Sequence, residues 1–115
     1  MDEILEQTLL YDFYGELLTE HQQKIYEDVV FNDLSYSEVA KEQGISRQGI
    51  YDMIKRINRI LMGYEEKLHL VEQFLNAKKL AARIHALAEN YLAERDMDDI
   101  YEIRRLSAEM MELQN

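Results

Sequence analysis

Between Leu34 and Leu61 the chain reads LSYSEVAKEQGISRQGIYDMIKRINRIL. Ser35 and Glu38 have the Ser-x-x-Glu form of a capping box, in which each side chain satisfies the other residue's backbone N–H. Leu34 and Val39 stand where a hydrophobic staple closes such a helix start. Ala40 is small where two helices must cross closely. Gly44 follows four residues later, where a helix must end and φ turns positive. Ser46 can cap the next helix, with Ile45 and Ile50 as its staple. Ile50, Met53, Ile54 and Ile57 then make an inward stripe at three- and four-residue steps. A small residue, a glycine and a buried aliphatic at this spacing predict a helix-turn-helix over residues 35–61. The plainer alternative is an ordinary helical hairpin.

Helices are predicted on both sides of this motif. Residues 3–17 place Ile4, Leu5, Leu9, Tyr11 and Leu17 as a half-buried helix would. Thr19 and Gln22 form a further capping box, opening a helix through Ile25, Tyr26, Val29 and Val30 that ends near Phe31-Asn32-Asp33. From Arg47 to about Ala93 apolar residues keep returning at helical spacing, with only Gly63 and Asn76 as interruptions. The charged turn Glu94-Arg95-Asp96 precedes a last helix with Ile100, Ile103, Leu106 and Met110. The expected fold is all-α: a helix-turn-helix domain over 1–62, then a C-terminal long-helix dimerisation arm over 63–115. Apolar stripes of this length need a partner that a small domain cannot supply, so a homodimer through residues 64–112 is expected. The alternative is that these helices fold back on one another within a monomer.

Composition narrows the function classes. A chain of 115 residues is one domain's worth, or a small domain with a helical arm. It has no Pro and four Gly, so little stops a helix once begun. The lack of Cys excludes disulfides and thiolate metal sites and fits a reducing compartment. Met1-Asp2-Glu3 is acidic where a signal peptide is basic, and no apolar run is long enough to span a bilayer. These features predict a cytoplasmic protein with no membrane contact. His21, His69 and His85 are far apart, no Gly-rich phosphate loop occurs, and no Ser has a readable His and acid beside it. No enzyme, metal or cofactor is expected.

The net charge of −10 is unevenly spread. Residues 35–60 hold five cations against three carboxylates, or +2, while the rest, with eight against twenty, carries −12. The basic island coincides with the second helix of the motif, which favours an anionic partner; an evenly solvated helix face is the bland alternative. On the side away from Ile50 and Ile54 that helix presents Arg47, Gln48, Tyr51 and Asp52. Arg47 is suited to guanine edges or a phosphate, and Gln48 to adenine. Lys55, Arg56 and Arg59 lie further along and suit phosphates, with Ser46 and the free N–H groups of the helix start as another phosphate seat. Tyr51 is either a contact or simple surface cover, and Asp52 is placed to pair with Arg56 one turn on. Double-stranded DNA is the leading partner.

Residues 18–61, from Leu18-Thr19 through Asp33-Leu34-Ser35 and Ile45-Ser46-Arg47-Gln48 to Ile50-Tyr51-Asp52, resemble the YlxM family of small bacterial helix-turn-helix proteins. Tyr11-Asp12-Phe13-Tyr14 before the motif and Tyr64-Glu65-Glu66-Lys67-Leu68 after it fit as well, so the resemblance covers roughly residues 1–75. That family is similar to DNA-binding region four of sigma factors, which implies a winged-helix-like recognition unit without the wing. Its genes typically lie beside those of the signal recognition particle. The resemblance therefore implies a regulatory role, either on DNA or through binding the particle's GTPases or RNA. One departure is Gly49, where relatives more often carry Ala; Gly within a helix costs about 0.5–1 kcal/mol relative to Ala.

Overall fold

A computed structural model describes residues 2–113. Those residues form α1 (Glu3–Tyr14), a 3₁₀ turn (Gly15–Leu17), α2 (Glu20–Tyr26) running into a π-helical turn (Glu27–Phe31), and α3 (Tyr36–Gln43). They continue with α4 (Arg47–Leu68), α5 (Leu70–Glu94) and α6 (Met97–Leu113). The fold is all-α, and its contacts divide it into two compact units, Met1–Val71 and Glu72–Asn115.

The helix starts in the first unit form where the capping residues stand. Thr19 Oγ1 accepts from Gln22 N–H at 3.1 Å while Gln22 Oε1 accepts from Thr19 N–H at 2.9 Å. Ser35 and Glu38 repeat the exchange at 3.1 and 3.3 Å, and Ser46 Oγ accepts from Gly49 N–H at 2.9 Å. Each bond satisfies an N–H that the first turn of a helix leaves without a partner. Between them α3 ends at Gly44, with φ 70° and ψ 28°. Ile45 N–H then reaches back to the Ala40 carbonyl at 3.1 Å, the six-to-one bond of a Schellman ending. Only glycine adopts that left-handed turn without a Cβ penalty.

Burial follows the predicted stripe except at Met53, which is half-buried. Ile50, Ile54, Ile57 and Leu61 of α4 are all buried, and α1, α2 and α3 pack around that face. Each such side chain contributes about 1.5–3 kcal/mol on leaving water. Tyr26, fully buried, stacks on Tyr11 with ring centroids 5.4 Å apart and donates to Asn58 Oδ1 at 2.7 Å. Burial pushes the Tyr26 phenol up to about 12, so it stays a neutral donor. Asp28, 6% exposed, accepts from Lys24 Nζ at 3.0 Å and Asn32 Nδ2 at 3.1 Å, and these two hold its carboxyl below the usual range. This buried charge sits in the π-helical turn and ties α2 to the loop before α3.

Two expectations about the helices are corrected. The first helix was expected to run to residue 17, but regular α-helix stops at Tyr14 and the 3₁₀ turn follows. The helical spacing expected to run from Arg47 to about Ala93 does not make one helix: Gly63 and Asn76 lie inside α4 and α5, and the chain breaks at His69, with φ 56° and ψ 28°. The cause is tertiary. Tyr14 Oη donates to Glu65 Oε1 at 2.5 Å and accepts from Leu70 N–H at 3.1 Å, while Glu65 Oε1 also accepts from Val71 N–H at 3.0 Å. A phenol from α1 and a carboxylate from α4 thus cap the first two N–H groups of α5. The carboxylate also meets the positive end of that helix's dipole. Tyr14→Phe removes a donor and an acceptor from a part-buried network and is expected to destabilise the protein by about 1–3 kcal/mol in urea denaturation. A change below about 0.5 kcal/mol would show that the break at His69 does not depend on this hydroxyl.

In the second unit α5 and α6 make an antiparallel hairpin through a turn at Arg95, which has φ 57°. Asn90 Nδ2 donates to Asp99 Oδ2 at 2.6 Å near the turn, and Arg83 meets Glu102 at 3.2 Å further along. Leu106 is fully buried, whereas Leu92, Met97, Tyr101 and Met111 are 51–66% exposed.

Candidate nucleic-acid interface

The inward stripe of α4 settles which way its other side chains point. With 3.6 residues per turn, positions 48, 52, 55, 56 and 59 fall on the side opposite Ile50, Ile54, Ile57 and Leu61, Tyr51 falls on its flank, and Arg47, expected on the far side, shares the face of Ile50 and Ile54 at the very start of the helix. All seven are exposed, as is Ser46, the cap at their amino end. The structure leaves all eight residues singled out in the sequence exposed, with Gln48, Asp52, Lys55, Arg56 and Arg59 along one face and Arg47, Gln48 and Tyr51 meeting at the helix start.

The polar pattern on that surface is specific. Gln48 Nε2 donates to Asp52 Oδ1 at 3.0 Å. A carboxylate only accepts, so this bond turns the Gln48 amide nitrogen inward along the helix and leaves Oε1 and one N–H facing out. Asp52, expected to pair with Arg56, takes Gln48 instead. Among the described residues no carboxylate lies within 4.0 Å of Arg47, Lys55, Arg56 or Arg59. Three cations elsewhere are paired, Lys24 with Asp28, and Arg83 and Arg105 with Glu102. In a protein of net charge −10, these four α4 cations are free to meet an anionic partner.

Tyr51, 42% exposed, is held rather than loose. The Tyr36 ring meets it edge-on, with centroids 5.9 Å apart and planes at 77°, and Lys55 Nζ lies 5.4 Å from its centroid. Tyr36 is a residue that sequence reasoning missed. It is the first residue of α3, eleven positions before Arg47, and only the turn at Gly44 brings it to α4. Tyr36, Arg47, Gln48 and Tyr51 together line a shallow notch at the amino end of α4. Gly49, at the same helix start, has its N–H on the Ser46 hydroxyl, and a Cβ there would come within 3.2 Å of that oxygen. Glycine thus spares the cap a tight contact, at some cost in helix propensity. Among the described residues no group of three or more His, Asp or Glu side chains is placed to hold a metal, and no helix is long and apolar enough to cross a membrane.

Comparison with known proteins agrees with this architecture. The model of family UPF0122, described as "Putative helix-turn-helix protein, YlxM / p13 like", matches residues 1–102. A UPF0122 protein of Acetivibrio thermocellus is 49% identical over 84 residues, covering 73% of this chain and 72% of its own length. One from Thermoanaerobacter sp. strain X514 is 40% identical over 116 aligned positions, covering 97% of both chains. A third, from Shouchella clausii, is 39% identical over 95 residues, covering 82% of this chain and 87% of its own. The chain belongs to the UPF0122 family of YlxM/p13-like helix-turn-helix proteins.

Proposed function

We propose that this protein is a DNA-binding regulator that inserts the amino end of α4 into the major groove of duplex DNA and binds as a homodimer. The observation that carries the reading is the unpaired, exposed row Arg47, Lys55, Arg56 and Arg59 on the second helix of a helix-turn-helix. In this reading Arg47 takes a guanine edge and Gln48, oriented by Asp52, an adenine. Tyr51 covers the base edges, Lys55, Arg56 and Arg59 hold phosphates, and Ser46 with the α4 N–H groups seats one more. The dimer rests on the second unit. Leu92, Met97, Tyr101 and Met111 stay exposed there, and a two-helix unit of this size buries too little apolar surface to stand well alone. A second copy offering the same stripes completes that core.

Fluorescence-anisotropy titration of labelled duplexes tests the DNA reading. Fragments from beside the protein's own gene are expected to bind at least tenfold tighter than random duplex, and Arg47→Ala to remove most of that difference. Equal binding to random duplex, unchanged by Arg47→Ala, would end it. A second reading has one observation in its favour: residues 1–23 carry six carboxylates and no Lys or Arg, which suits a cationic protein surface. Here the protein is an accessory of the signal recognition particle, acting on its GTPases or RNA. Co-purification with the particle and altered GTP turnover, with no duplex binding, is the result that favours it.

A further inference from the structure

The tyrosine pair beside the start of α4, Tyr51 exposed and Tyr36 half-buried at the start of α3, has no use in a surface that only holds phosphates. The Tyr36 ring edge packs against Tyr51 from one side, with ring centroids 5.9 Å apart. What remains open is the notch between Tyr36 and Tyr51, rimmed by the Arg47 guanidinium and the Gln48 amide. Its chemistry is that of a small apolar seat with hydrogen-bond donors beside it. In the major groove one base fits that description. Thymine alone projects a methyl group, next to its own O4 acceptor, and the other three bases carry none there. A guanine beside it would offer O6 and N7 to Arg47.

We infer that the Tyr36–Tyr51 notch is a thymine-methyl site, so that each α4 reads a thymine adjacent to the base held by Arg47. Tyr36 then acts as a specificity residue although it lies on α3. This inference rests on the duplex-DNA reading above. It goes further in naming a base, a chemical group on it and a residue outside the recognition helix.

The test uses the whole protein and a randomised duplex library at fixed salt. Once a preferred sequence is recovered, each thymine is replaced in turn by deoxyuridine, which removes the methyl and nothing else. The expected result is one thymine per half-site whose replacement weakens binding about fourfold, the worth of one buried methyl. Tyr51→Ala and Tyr36→Ala are expected to bind the thymine and deoxyuridine duplexes equally while keeping the wild-type salt dependence. Circular dichroism checks that each is folded, and Tyr51→Ala, the more exposed site, serves alone if Tyr36→Ala is not. Discrimination that is absent at every thymine, or that survives Tyr51→Ala, overturns the inference while leaving duplex binding intact. A library in which no sequence is enriched removes the duplex-DNA reading itself, and this one with it.

Discussion

Ile50→Ala is expected to lower the stability of the protein by about 2–5 kcal/mol, the range for emptying a fully buried aliphatic position. Small domains hold only about 5–15 kcal/mol in total, so this change brings the amino-terminal unit close to its limit. The position is decisive because of where it sits. Ile50 is fully buried on α4's first complete turn, facing α3, and Ser46, Gly49 and the Gly44 turn all lie within six residues of it. A cavity there loosens the contact that fixes the recognition helix on its scaffold. The neighbouring change Tyr51→Ala is the control. It sits one residue on, points the other way and is 42% exposed. Its loss costs stability by under about 1.5 kcal/mol, mainly through the ring contact with Tyr36. Urea denaturation of the two variants side by side reads the difference. If Ile50→Ala costs no more than Tyr51→Ala, the buried stripe of α4 is not what holds the helix-turn-helix together.

How much of this was legible in the sequence depends on how local each cause is. The caps at Thr19, Ser35 and Ser46 and the left-handed Gly44 are written within three or four residues, and the structure forms all of them. The buried face of α4 is likewise a matter of period. The break at His69 is different, because histidine is no helix terminator and the apolar pattern runs straight through it. It is made by Tyr14, 51 residues away from Glu65 in the chain, and nothing near His69 announces that partner. Tyr36 was invisible for the same reason: its neighbour Tyr51 is a neighbour only after the turn has folded. Gln48, Asp52, Lys55, Arg56 and Arg59 were legible because a helical period places them opposite the stripe, whereas Arg47 is exposed only because it stands at the first position of α4. The cations' freedom from carboxylate partners was not legible, since any of the chain's 23 acidic side chains had the reach to neutralise them.

Raising salt from 50 to 200 mM is expected to weaken duplex binding by roughly 2,000-fold if two copies bind together, and by roughly 40-fold if one copy binds alone. The figures follow from the cations assigned to phosphates. Lys55, Arg56 and Arg59 neutralise three phosphates per α4, and each releases counterions worth a log–log slope of about −0.9. One helix therefore gives a slope of about −2.7 and two give about −5.4. The acidic remainder of the chain lowers affinity at every salt concentration through long-range repulsion, which screening weakens, so measured slopes fall at or slightly short of these values. Single substitutions separate the roles. Lys55→Ala is expected to flatten the slope by about 1 for each helix engaged, with little effect on which sequence is preferred. Arg47→Ala is expected to leave the slope nearly unchanged and to cost about 1–3 kcal/mol on the preferred sequence alone, because a base contact displaces no condensed counterion. The two variants thus move different observables. A wild-type affinity that changes less than about fivefold over this salt range would take the α4 cations off the phosphates, and with them the groove-bound orientation of the helix.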